Sequence, residues 1–229
     1  MVSKRLTLQL DGAPVDFEVR RVLVAGYTGR DTDQVRAHIA ELERQGIPAP
    51  PSFPTMYPLD ASWATVETTL TVSAPRVSGE VEPALLFPGD SLDDALVSVI
   101  VDFTDREEER RSIPLSKKQP KPLSAKVWRY RDVAGFWDEI ALRSWVEPGP
   151  ERRLYQSGRL AQLLPPRALL ERLGLANGME GTVLLMGTLP LLSKEFLFAD
   201  YFACEMEAPG RSKLAYACEL RRPKAQPKT

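Results

Sequence analysis

The chain has 229 residues, 43% of them hydrophobic, enough to bury a core and fold without disulfide or metal staples. Its 30 Lys and Arg stand against 31 Asp and Glu, a formal net charge of −1, which removes any general electrostatic attraction to nucleic acid or an anionic membrane. The two cysteines, Cys204 and Cys218, lack zinc-ligand spacing and read as a reduced pair, which excludes a disulfide framework.

The first residues, MVSKRLTLQLDG, contain no apolar secretory core, and no segment approaches the roughly 18 apolar residues of a spanning helix, so a cytoplasmic protein is expected. Residues 5–25 predict a hairpin turning at Asp11-Gly12, then the buried strand VLVAG. From Asp31 or Thr32 a helix is expected, with Val35, Ile39 and Leu42 at helical spacing and Gly46 as its stop. The proline-rich run 46–54 must be a loop, since proline removes backbone donors and restricts its neighbours.

Three strands are predicted at 64–73, 80–87 and 95–103, with Pro83 suggesting an edge or a bulge. The cationic, proline-broken stretch 114–125 reads as a mobile loop of the kind that forms lids. Helices are expected around Asp132–Ser144 and Pro166–Leu173, then strands in TVLLMGTLP, DYFACEME and KLAYACEL, and a disordered charged tail. The pattern is α+β and mostly β. Neither a GxGxxG nor a GxxxxGK[ST] run supports nucleotide chemistry.

In Gly79-Glu80-Val81-Glu82, residues i and i+2 of a strand share a face, so both carboxylates project together. Asp102 closes the apolar run ALVSVIV, where an isolated charge is costly unless a metal, a cation or strong hydrogen bonds meet it. Three hard oxygen donors favour Mg²⁺ or Mn²⁺. A solvated strand face would show the same Glu-x-Glu. His38, the single histidine, lies three residues before Glu41 on one helical face, the relation a general-base dyad needs, although surface histidines are common.

These residues together resemble the fumarylacetoacetate hydrolase superfamily, in a short and divergent form. Gly79-Glu80-Val81-Glu82-Pro83-Ala84 is similar to its metal-binding strand. Val101-Asp102-Phe103-Thr104-Asp105-Arg106 is similar to its Asn-Asp-Val-Thr-Ala-Arg segment, and His38-Ile39-Ala40-Glu41 to its His-x-x-Glu helix. Ser124-Ala125-Lys126 resembles its Gln-Ala-Lys, and Met186-Gly187-Thr188-Leu189-Pro190 its Thr-Gly-Thr-Pro turn. The departures are Val101 in place of Asn, Leu189 within the turn, a short interval from Glu82 to Asp102, and a long approach to His38 carrying Tyr27 and Arg30.

The resemblance implies a mixed β-roll or β-sandwich core with flanking short helices. It divides the chain into an N-terminal subregion at 1–60, a catalytic roll at 61–222 and a tail at 223–229. It further implies Glu80, Glu82 and Asp102 as ligands of Mg²⁺ or Mn²⁺, His38, Glu41 and Lys126 as catalytic groups, and Tyr27, Arg30, Arg106, Lys126, Gly187 and Thr188 as substrate contacts. The implied activity is hydrolytic cleavage of a carbon–carbon bond in an acylpyruvate-like or fumarylacetoacetate-like oxo-acid by a homodimer, with no nucleic-acid or membrane partner. Decarboxylation, hydration or isomerisation on the same metal site, and a silent binding protein of the same fold, are the alternatives. Lys126 and Arg106 also fit ordinary solvated charges, and Thr188 ordinary turn chemistry.

Overall fold

The computed structural model describes residues 3–44, 46–193 and 195–223. The hairpin β1 (Lys4–Leu10) and β2 (Ala13–Val19) turns through Asp11 and Gly12, both at positive φ, as a two-residue turn requires. Strand β3 (Arg21–Gly26) leads to helix α1 (Thr32–Arg44), then β4 (Thr55–Asp60). Asp31 caps α1 by accepting the N–H groups of Asp33 and Gln34, and Gly46, at φ +85°, follows its end.

Two short strands, β5 (Ala64–Thr65) and β6 (Thr69–Thr71), precede the long pair β7 (Val77–Phe87) and β8 (Leu96–Asp105). A one-turn helix α2 (Ile113–Ser116), β9 (Lys121–Pro122), β10 (Lys126–Arg129), β11 (Ala141–Val146) and β12 (Arg153–Arg159) follow. Helix α3 (Pro166–Leu173), β13 (Thr182–Leu185), β14 (Tyr201–Glu207) and β15 (Leu214–Arg221) complete the described chain.

The strands build a mixed sheet in the order β2-β1-β10-β8-β7-β13-β3-β4, a second sheet β12-β11-β14-β15-β6, and the small pair β5-β9. The protein is therefore α+β and mostly β. Strands β1 to β4, from the region expected at 1–60, pair into the same sheet as β7 and β8. The alternation of β7 and β8 divides the core. Val77, Val81, Leu85, Val97, Val99, Val101 and Phe103 pack toward the second sheet, against Leu142, Phe202 and Met206. Ala84, Leu86, Leu96 and Ile100 pack on the opposite face with Leu6, Leu8, Val22, Val24 and Leu185. Among the described residues no helix is long and apolar enough to cross a membrane.

Five sequence expectations are corrected. The helix expected over 132–144 is a run of 3-10 turns followed by β11, because Ala141–Val146 alternates half-buried and buried and is paired on both sides. The single strand expected at 64–73 is two short strands in different sheets. Strand β12 went unpredicted beside its Pro-Gly loop. The segment 114–125 is an ordered part of the interior, with Ser116, Lys117, Gln119, Lys121 and Leu123 buried. Pro83 keeps the β7–β8 register opposite Val99 without a bulge. Its missing N–H costs no ladder bond because β13 stops pairing at Ala84. The expected tail includes 224–229, outside the described residues.

Candidate active site

Strands β7 and β8 set Glu80 directly opposite Asp102 and Glu82 opposite Ile100, so the three carboxylates share one face. It is the face that carries Ala84, Leu86 and Ile100, and the acids stand where its apolar lining ends. Gly79 is required beside them, since a Cβ there would come within 2.8 Å of Phe103 and Val101.

Asp102 is 1% exposed. Lys117 Nζ donates to its Oδ2 at 2.5 Å and to Thr104 Oγ1 at 3.1 Å, while Lys121 Nζ lies 3.1 Å from Oδ1. Burial by itself raises the Asp102 carboxyl, but the two ammonium groups hold it down at about 2. Lys121 is fully buried and donates to the carbonyls of Phe103, Lys117 and Gln119, which fixes the turn between α2 and β9. Burial opposes the charge on Lys117, yet Asp102, Glu109 and Glu80 keep its ammonium more basic than usual.

Glu82 is 3% exposed and accepts the Gly187 N–H at 2.7 Å. Burial and then the neighbouring Asp102 push its carboxyl well above the ordinary range, with Lys117 and the Gly187 N–H opposing. Gly187 has φ +93°, and a Cβ there would approach Thr28 Oγ1 to 1.9 Å, so only glycine brings this N–H to Glu82. Glu80 Oε2 accepts from Arg106 Nη2 at 2.7 Å.

The remaining expected residues are distributed unequally. Arg106 is not open to substrate: Ser78 Oγ, Glu80 and both oxygens of Glu109 use its donors, and the Phe196 ring covers it with centroid 3.8 Å from the guanidinium carbon. Arg30 points elsewhere, forking onto both oxygens of Asp138 and donating to the Leu163 carbonyl. Thr188 spends its hydroxyl on Val81 O and Gln156. Lys126 is exposed on β10, and Lys117 and Lys121 are lysines that pair with Asp102. Sequence alone offered one sign of these two, lysines in an otherwise proline-broken stretch.

Tyr27 stands at φ +58°, a conformation held by the Thr28 carbonyl accepting the Leu164 N–H and by the Arg30 clasp next to it. Burial, then Tyr57 and Glu109, push its phenol to about 12, and Tyr57 is likewise raised by burial, so both remain neutral donors. The His38 ring lies 6.5 Å from that of Tyr27, and its Nδ1 is 3.9 Å from Glu41 Oε2. Both dyad side chains are 59% exposed.

In chemistry three carboxylates on one face are the donors a hard divalent ion takes, and Glu82 is bonded to a single backbone N–H, while Asp102 Oδ1 faces the Lys121 ammonium at 3.1 Å. Among the described residues no three acidic, His or Cys side chains already converge as a metal cluster, with Glu80 drawn to Arg106 and Asp102 to Lys117.

Three solved structures share the architecture. Fumarylpyruvate hydrolase from Pseudomonas aeruginosa, in complex with Mn²⁺ and pyruvate, is 14% identical with a TM-score of 0.65, covering 97% of this chain and 98% of that one. A yeast fumarylacetoacetate hydrolase family protein is 16% identical with a TM-score of 0.64, covering 92% and 96%. The 2-hydroxyhepta-2,4-diene-1,7-dioate isomerase from Mycobacterium marinum is 14% identical with a TM-score of 0.61, covering 90% and 76%. No curated protein sequence matches the chain. Residues 25–216 match the family described as a protein of unknown function, DUF2848. The chain belongs to the DUF2848 family, and its fold is that of the fumarylacetoacetate hydrolase superfamily.

Proposed function

We propose that this chain is a divalent-metal-dependent enzyme that cleaves a carbon–carbon bond in a small oxo-acid or 1,3-dicarbonyl compound, an acylpyruvate-like or fumarylacetoacetate-like molecule. One observation carries the reading: Glu80, Glu82 and Asp102 share a face of β7 and β8, and Glu82 is buried without a cation bonded to it. Burial among carboxylates favours the protonated form of Glu82, and a cation joining the three acids would let it bind as the carboxylate.

Glu80, Glu82 and Asp102 would hold the ion, and hard oxygen donors favour Mg²⁺ or Mn²⁺. Such an ion supplies Lewis-acid polarisation of an oxo group chelated through an adjacent carboxylate. Lys117 Nζ, fixed on Asp102, offsets the negative charge passed to the substrate's oxo oxygen as the bond breaks. Tyr27 and Tyr57, neutral phenols, are further hydroxyl donors available to substrate. In hydrolysis His38 takes the proton of the attacking water at Nε2, while Glu41 orients the ring from the Nδ1 side.

A second reading, decarboxylation or hydration and isomerisation without water activation by this dyad, is favoured by the exposure of His38 and Glu41 on a helix whose one buried residue is Val35. Calorimetric titration of chelator-stripped protein with Mg²⁺ and Mn²⁺, beside the Glu80→Ala/Glu82→Ala variant, tests the reading, followed by a turnover screen with acylpyruvates and oxaloacetate. Saturable binding lost in the variant supports it. Absence of binding by the wild type, with oxalate present as co-ligand, overturns it.

A further inference from the structure

Between Glu80 and Glu82, the backbone of β7 loses the neighbour that covers it further along. Strand β13 ends at Leu185, paired with Ala84, and the chain turns away through Gly187. Two side chains meet the backbone groups of Val81 left beyond that end. The Val81 N–H donates to Gln156 Oε1 at 2.9 Å, and the Val81 carbonyl accepts from Thr188 Oγ1 at 2.8 Å.

Gln156, on β12 in the other sheet, is 0% exposed. Its Nε2 donates to Thr188 Oγ1 and to the Leu189 carbonyl, each at 2.7 Å, and its Oε1 also accepts from Ser144 Oγ at 2.9 Å. Two donations and two acceptances exhaust what an amide side chain offers, so its orientation is set on every side. The turn it clamps is the one whose Gly187 N–H reaches Glu82. One glutamine therefore connects the second sheet, the 187–189 turn and the residue between the two glutamates.

We propose that Gln156 is a positioning residue for the carboxylate site: with Thr188 it fixes Val81, and thereby the direction in which Glu80 and Glu82 present their oxygens. The inference rests on the reading that these carboxylates hold a divalent ion. A core amide that only joins the two sheets would contribute stability and leave metal affinity alone. Groups that orient metal ligands, when removed, lower affinity by about 10–100-fold.

The test uses the full chain, stripped with chelator and titrated with Mn²⁺ alone, together with thermal unfolding of the metal-free protein. Gln156→Met and Thr188→Val are expected to lower Mn²⁺ affinity by about 10-fold or more, Thr188→Ser to restore it through its hydroxyl, and the double variant to be little worse than the weaker single one. Should Gln156→Met fail to fold, the Thr188 pair carries the comparison. Variants that melt earlier yet bind Mn²⁺ like the wild type overturn the inference and leave the metal site standing. A wild type that binds no Mn²⁺ overturns both.

Discussion

The strand pair β7–β8 and the helix α1 both carry expected site residues, and they are built in opposite ways. On the strands, Asp102 and Glu82 are buried, and Asp102 is held by Lys117 with Lys121 close by. On the helix, His38 and Glu41 are 59% exposed, and Val35 is the buried contact. Charges inside a low-dielectric interior need fixed partners, and on the strands Lys117, Lys121 and Arg106 supply them. A surface helix needs no such partners, so under the proposed reading the two regions should fail differently when broken.

The largest expected effect is on the strand side. Asp102→Ala leaves Lys117 and Lys121 buried without their carboxylate and should cost about 3–5 kcal/mol in urea unfolding of the metal-free protein. A loss below about 1 kcal/mol would show that these lysines are solvated and would remove the contrast with α1.

On the helix side, His38→Ala should leave Mn²⁺ affinity and melting temperature unchanged while slowing hydrolytic turnover by about 100-fold. Undiminished turnover would remove His38 as the base of the reaction. Between these lies Gly187→Ala, at φ +93° and against Thr28 Oγ1, which should destabilise by about 1–3 kcal/mol and withdraw the N–H from Glu82. Thermal unfolding and Mn²⁺ titration read both consequences.

The smallest effect concerns the clasp that holds the Tyr27 loop. Arg30 lowers the Asp138 carboxyl below its usual value of 3.8, so the pair's contribution to stability is present above that pH and lost as pH falls through the lowered value. Asp138→Asn should cost less than about 1 kcal/mol at pH 7, since the pair is well exposed, and the difference should vanish in chemical denaturation once the pH falls below the lowered value. A difference that persists in acid would mean that the Asp138 side chain contributes by something other than its charge pair with Arg30.

Much of the scaffold was legible from local pattern. The hairpin at Asp11-Gly12, helix α1 with its Asp31 cap, helix α3 and the central strands all follow from periodicity and turn chemistry. The shared face of Glu80 and Glu82 needed only the two-residue repeat of a strand. Helix α1 against β11 marks the limit. Residues 132–144 fit a helix by composition, but pairing with β12 and β14 offered Ala141–Val146 more than local propensity did.

The partners of the acids lay beyond local reading. Lys117 and Lys121 sit in a proline-broken stretch that looks mobile by itself, and the short motif at Lys126 does not point to them. Gln156 carries no local signal, since its role exists only where β12 meets the end of β13. By itself the sequence determined which residues alternate, cap and turn, because those preferences act over a few bonds. Tertiary structure decided which cation meets which carboxylate and which turn meets which strand, because burial makes such pairings compulsory and chain separation hides them.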